Sequence, residues 1–218
     1  MNNLEYLNKY KLFIVDYDGT LLDSMGMWAH LLSNFLKESK IKFDVDIDEI
    51  AKEQTNVEAV RYIHKNFYNN ISYAELENKM YNFVRKQYVN QKLKPGAKEL
   101  LEAFKRNGRV VLFSATANEL LDDSFKTNDI NKYFDYIYSA SNMGITKSGG
   151  TGFNKILEIE GFNKNEALVV EDVYHAISGA REQGFDTLAI FDNQHHWDNI
   201  KEISNYNLNL NILNGKSE

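Results

Sequence analysis

Leu12-Phe13-Ile14-Val15-Asp16-Tyr17-Asp18-Gly19-Thr20-Leu21 is the stretch on which the fold turns. Four apolar residues run directly into two carboxylates one residue apart, and a glycine follows. The apolar run reads as a short buried strand, with Gly19 opening a turn at its tip. Ionised carboxylates held side by side repel each other and lose hydration, so fold stability alone does not account for the pair. A bound cation or phosphoryl chemistry would relieve that cost. An Asx turn or a calcium-type loop is the plainer reading of Asp-x-Asp-Gly. The calcium loop needs further ligands at alternate positions and a distal glutamate, which Thr20, Leu21 and Leu22 do not supply.

Working outward, similar apolar runs recur at Val110 to Phe113, Ala167 to Val170 and Thr187 to Phe191, with a weaker one at Phe134 to Tyr138. Helical periodicity lies between them. Pro95-Gly96-Ala97 opens a helix to about Asn107 with Leu100, Leu101 and Phe104 on its inner face. Asn118 to Asn128, Phe153 to Ile159 and Tyr174 to Gln183 read as further helices. Strands alternating with helices predict an α/β fold, a doubly wound, Rossmann-like parallel sheet with right-handed crossovers. In such sheets ligands bind outside the carboxyl ends of the strands.

One segment breaks the alternation. Met27 to Leu36, Ile47 to Glu53, Val57 to Phe67 and Tyr73 to Val89 all carry helical spacing, with no convincing strand among them. This predicts an inserted α-helical cap domain over 23–92, with the core formed by 1–22 and 93–218. The hinges fall near Leu22-Asp23 and Leu93-Lys94-Pro95. A lid above the strand tips would exclude water from a site there; alternatively, these helices simply extend the core.

Composition narrows the function class. The chain has 218 residues, 43% of them hydrophobic, a formal net charge of −6 and no cysteine. Interspersed charge of both signs without a basic stripe argues against a nucleic-acid partner. Without cysteine there is no disulfide framework, thiolate metal site or thiol nucleophile. Met1 to Tyr6 shows no signal-peptide pattern, and no apolar run is long enough for a membrane span. A soluble cytoplasmic protein is the expectation. The alternation in Tyr206-Asn207-Leu208-Asn209-Leu210-Asn211-Ile212-Leu213 suggests a short edge strand that pairs with the sheet or with another copy, so a monomer or weak homodimer is expected.

Later segments supply what phosphate-ester chemistry would need. Asp16 at a strand end could act as nucleophile, and Asp18 could protonate a leaving oxygen and later activate water. Gly19 and Thr20 belong to the same turn. Ser114-Ala115-Thr116 places a hydroxyl and free amides at a strand tip before a helix, which suits a phosphate cradle or an ordinary helix cap. Lys147, within Gly144-Ile145-Thr146-Lys147-Ser148-Gly149-Gly150, could neutralise a phosphoryl oxygen or simply be solvated. Glu171-Asp172 repeats the opening oddity, with adjacent carboxylates directly after an apolar strand. Mg²⁺ prefers octahedral oxygen ligands, which Asp16, the Asp18 carbonyl and Asp172 would provide, with Glu171 bound directly or through water.

Asp16-Tyr17-Asp18-Gly19-Thr20, Ser114, Lys147 and Glu171-Asp172, in this order and context, resemble the four motifs of the haloacid dehalogenase superfamily. The likeness spans nearly the whole chain and includes the helical insertion, similar to that family's α-helical cap. It implies Asp16 as nucleophile, Asp18 as general acid/base, and Ser114 and Lys147 as holders of the phosphoryl group with Gly19, Thr20 and Ala115 around it. It also implies Mg²⁺ at Asp16, Asp18 and Asp172, assisted by Glu171. Two positions depart from the common pattern: Ser148 stands where proline often follows the lysine, and Glu171-Asp172-Val173 replaces Gly-Asp-Ser. The Glu-Asp form is familiar in the β-phosphoglucomutase-like branch.

Within the family, Asp18 argues against dehalogenation, which has no leaving alkoxide to protonate. The cap stretches Met27-Trp28-Ala29-His30 and Lys52-Glu53-Gln54-Thr55-Asn56 place Trp28 and Asn56 where β-phosphoglucomutases have histidine and arginine. Losing the arginine removes a bidentate clamp on a phosphosugar. A phosphatase of a small phosphorylated metabolite is therefore expected, with a sugar phosphomutase as the alternative. Lys52 is the nearest candidate for a Schiff-base lysine and also reads as a surface residue. Met25, Met27, Trp28 and His30 either face substrate or pack the cap's own core. Asn118 is a secondary phosphate contact or a plain helix position. His195-His196 reads as a solvated loop, with no third metal ligand spaced nearby.

Overall fold

The computed structural model describes residues 4–52, 56–193 and 195–214. Glu53, Gln54 and Thr55 and the side chains of Lys52 and Asn56 lie outside this description, and with them the expectations placed on Lys52 and Asn56. Two compact units emerge. One joins the chain up to Met25 to the chain from Gln91 onward, and the other is Gly26–Asn90.

The first unit is built on a six-stranded sheet of β1 (Leu12–Val15), β2 (Arg109–Ser114), β3 (Tyr136–Ser139), β4 (Ala167–Glu171), β5 (Asp186–Ile190) and β6 (Tyr206–Leu208). Its order is β3-β2-β1-β4-β5-β6, and every adjacent pair is parallel. β1 and β4 are buried at every position, which is why they read as unbroken apolar runs rather than alternating ones. Val15 lies opposite Leu112 on one side and Val170 on the other. That register brings Asp16, Ser114 and Glu171 to the same edge of the sheet. The expected β3 begins two residues later than its apolar run, because Phe134 instead stacks on Phe125.

Helices cover both faces. On one, Phe13 of β1 stacks on Phe104 of the helix Ala97–Asn107, with centroids 4.4 Å apart. On the other, Ile14, Phe113 and Val169 pack with Phe153, Ile156 and Ala176. Phe153 and Ile156 come from Thr151–Glu160, and Ala176 from Tyr174–Glu182. The helix Asn118–Asn128 matches its expected span. Gly150 is left-handed at φ 74°, and a Cβ there would stand 2.1 Å from the Gly179 carbonyl oxygen. The loop carrying Lys147 therefore lies directly on backbone, which only glycine permits. The tail pairs with the sheet as β6, as its alternation suggested.

The second unit is helical, comprising all but the first residue of Met25–Ala29, then Leu31–Glu38, Ile47–Lys52, Asn56–Phe67 and Tyr73–Tyr88. Its core gathers Leu32, Phe35, Leu36, Ile63, Leu76, Met80 and Phe83. The expected helix over Met27 to Leu36 is in fact two, broken at His30. The cause is tertiary: Asp48 accepts a hydrogen bond from the Ser33 amide at 3.0 Å and also faces His30 at 3.2 Å. It thereby satisfies an orphan donor in the first turn of the second helix. Trp28 packs on Tyr88 within the same unit, at 5.8 Å between centroids. No helix among the described residues is long and apolar enough to cross a membrane.

Candidate active site

The site forms where three parallel strands end together. Asp16 follows β1, and its amide donates to the Val170 carbonyl of β4 at 2.9 Å. Glu171 is the last residue of β4 and Asp172 the next. Suitable ligand atoms of Asp16, Glu171 and Asp172 lie within 4.8 Å of one another, and all three residues are buried. Lys147 reaches into this cluster from the glycine loop. Its ammonium donates to Asp16 Oδ1 and, at 2.7 Å, to Glu171 Oε1, and it stands 5.5 Å from the centre of the Phe113 ring. The solvated alternative for Lys147 is thus removed, since the residue is buried.

Three carboxylates face one ammonium. Burial pushes Asp16 up to about 7, against the pull of Lys147, and the charge of Glu171 adds to the rise. Burial likewise raises Glu171 and Asp172. Burial works against the Lys147 charge, but Asp16 and Glu171 together hold the ammonium above the usual lysine range.

Asp18 sits two residues on and is held by two hydroxyls. Ser24 donates to Oδ1 at 2.6 Å and Thr116 to Oδ2 at 2.7 Å. Ser24 is fully buried, and its part here was not foreseen. Thr20 donates its hydroxyl to Asp172 Oδ1 at 2.9 Å, so that hydroxyl is engaged within the carboxylate cluster. Ser114 ends β2, is buried, and accepts from the Thr116 amide at 3.1 Å. Ala115 is exposed. The Asn118 amide is bonded to Asn142 Oδ1 at 3.1 Å. Gly19 is left-handed at φ 77°, and a Cβ there would lie 2.1 Å from Asp172 Oδ2. Glycine thus lets the turn close on the carboxylate.

The expectation for His195 is corrected. It is not a solvated loop residue: its Nε2 stands 3.1 Å from Asp172 Oδ2, and the side chain is mostly buried. That contact lies off hydrogen-bonding directions, so Asp172 Oδ2 and His195 Nε2 are both buried without a hydrogen-bond partner among the described residues. Asp172 draws the His195 imidazole above its usual range, chiefly through their pairing. Lys94 was also missed as a site neighbour; it reaches the Gly19 carbonyl. Neither residue carries a local signature, because a lysine before Pro-Gly and a histidine pair in a polar loop are ordinary sequence. A buried carboxylate oxygen that makes no hydrogen bond among the described residues, beside two more carboxylates, is a hard, all-oxygen donor set, and it fits Mg²⁺.

Residues 13–190 match the family model of the haloacid dehalogenase-like hydrolases. No protein of curated function matches the chain in sequence. Among solved structures, a candidate β-phosphoglucomutase of Thermotoga maritima superposes with a TM-score of 0.79 at 16% identity, covering 94% of this chain and 97% of that one. The candidate HAD-hydrolase YfnB of Bacillus subtilis, bound to magnesium, gives 0.71 at 18% identity over 95% and 100%. A variant of CbbY from Rhodobacter sphaeroides in complex with xylulose-(1,5)bisphosphate gives 0.71 at 13% identity over 91% and 93%. With its parallel sheet, helical insertion and family match over most of its length, the chain belongs to the haloacid dehalogenase-like hydrolases.

Proposed function

We propose that this hydrolase is a Mg²⁺-dependent phosphatase of a small phosphorylated metabolite in the cytoplasm, working through an aspartyl-phosphate at Asp16. The observation that carries the reading is the buried cluster of Asp16, Glu171, Asp172 and Lys147, with Asp18 pinned beside it. An Asp16 carboxylate oxygen attacks phosphorus, and the bond to the leaving oxygen breaks. Asp18 gives that oxygen a proton. Lys147, the Ser114 hydroxyl and the amides of Thr20 and Ala115 hold the phosphoryl oxygens, while the Gly19 amide is taken by the Leu22 carbonyl and Gly19 serves to shape the turn. Asp18 then takes a proton from water as the water oxygen attacks phosphorus, which frees Asp16 and inorganic phosphate. Mg²⁺ held by Asp16, the Asp18 carbonyl and Asp172, with Glu171 assisting, would neutralise charge on the transferring group.

A sugar phosphate heads the panel because CbbY was captured with a sugar bisphosphate. The test is phosphate release from sugar phosphates, nucleotides and flavin mononucleotide, with and without Mg²⁺, beside Asp16→Asn. Metal-dependent release lost in the variant is the expected result. An active Asp16→Asn protein would overturn the mechanism. Isomerisation of a hexose phosphate faster than its hydrolysis would replace the phosphatase with a mutase, for which Glu171-Asp172 is the supporting feature.

A further inference from the structure

We infer that Lys94 is a positioning residue that fixes the Asp18-Gly19-Thr20 turn from behind. Its side chain is 11% exposed, and its ammonium donates to three acceptors. They are the Gly19 carbonyl, the Phe191 carbonyl at 2.8 Å and Asp192 Oδ2 at 2.8 Å, with Asp192 itself 2% exposed. An ammonium has three donors, and here each is used. Burying a lysine–aspartate pair is unfavourable unless the geometry repays it, so a merely adhesive role would be filled better by apolar residues.

The placement gives the reason. The Lys94 amide donates to the Leu21 carbonyl at 2.8 Å, Leu93 bridges Leu22, and the Asp23 amide donates to the Lys92 carbonyl at 2.8 Å. The outgoing and returning segments are thus zipped together. Within the turn, the Gly19 amide donates to Leu22, and the Leu21 and Leu22 amides donate to Tyr17. Lys94 is the side chain that ties this assembly to the exit of β5. Without it the Gly19 carbonyl has no such anchor, and Gly19 lies between Asp18 and Thr20, the partner of Asp172. None of the motif residues supplies this link.

The inference rests on the proposed role of Asp18, and the test separates the two. Lys94→Met is made in the full chain and compared with wild type by residue-resolved amide hydrogen exchange and by turnover of p-nitrophenyl phosphate at saturating Mg²⁺. We expect the Gly19, Leu21 and Leu22 amides to lose protection while those of Leu168 to Val170 keep theirs. We expect kcat to fall about 10²-fold, with KM within a factor of ~3, since an ångström-scale misplacement of a catalytic group costs that much. Unchanged protection of the three turn amides overturns the inference whatever the activity. Lost protection with wild-type kcat overturns it too. Wild type no more active than Asp16→Asn would defeat the functional reading, and the exchange data would still decide whether Lys94 fixes the turn. Should Lys94→Met fail to fold, Lys94→Met/Asp192→Leu leaves no unpaired charge and carries the same expectations.

Discussion

Removing the charge of Asp16 will change how stability depends on pH in the metal-free protein. Asp16 is raised from 3.8 to about 7, with burial the main cause. A carboxyl whose folded value is raised contributes stability that is full below its unfolded value and lost as pH climbs through the folded one. The window is therefore about pH 4 to 7, and stability falls as pH rises across it. At 1.36 kcal/mol per pH unit, the stretch from pH 5.5 to 7 accounts for about 2 kcal/mol. The assay is urea unfolding in EDTA at pH 5.5 and pH 8, wild type beside Asp16→Asn. Wild type should lose about 2 kcal/mol more than the variant between these two conditions. With saturating Mg²⁺ the wild-type loss should shrink, because a bound cation favours the ionised carboxylate and releases its proton. Parallel pH dependence of the two proteins in EDTA would refute the reasoning.

Two further outcomes follow from packing. Gly19→Ala forces a left-handed alanine, at about 1–2 kcal/mol from the backbone alone, and drives its Cβ into Asp172 Oδ2; thermal melts should show the lost stability, and calorimetric Mg²⁺ titration should show weakened binding. Phe113→Ala removes a side chain that is 1% exposed and packs edge-on against Phe153. It should cost ~3–5 kcal/mol by urea melts and, because Lys147 lies over the same ring, lower kcat as well.

The sheet was legible because its central strands β1 and β4 are buried on both faces, leaving the runs Leu12 to Val15 and Ala167 to Val170 with nothing polar inside them. The carboxylates at their ends were legible because they violate what a strand tip needs for stability. The break at His30 was not, because the cap that enforces it, Asp48, comes from the next helix. His195 and Lys94 were hidden for the same reason. Each acts through a contact about 20 or 75 residues away in sequence, with Asp172 and Gly19 respectively, and neither spacing leaves a pattern. Thr116 was visible as part of a turn, but its bond to Asp18 exists only after β1 and β2 have paired.

The strand order also governs the timing of synthesis. β1 emerges first, yet it is central in the sheet, and one of its two partners is β4, beginning at Ala167. At roughly 5–20 residues per second, the ribosome needs on the order of ten to thirty seconds to deliver that partner. Throughout this interval Leu12 to Val15 has an unfilled flank and a strong tendency to pair with whatever strand is nearby. The helical insertion between β1 and β2 has by then been made and can fold on local contacts alone. The nascent chain thus carries a completed helical segment and an incomplete sheet, and chaperone binding should concentrate on the first strand until the last quarter of the protein arrives.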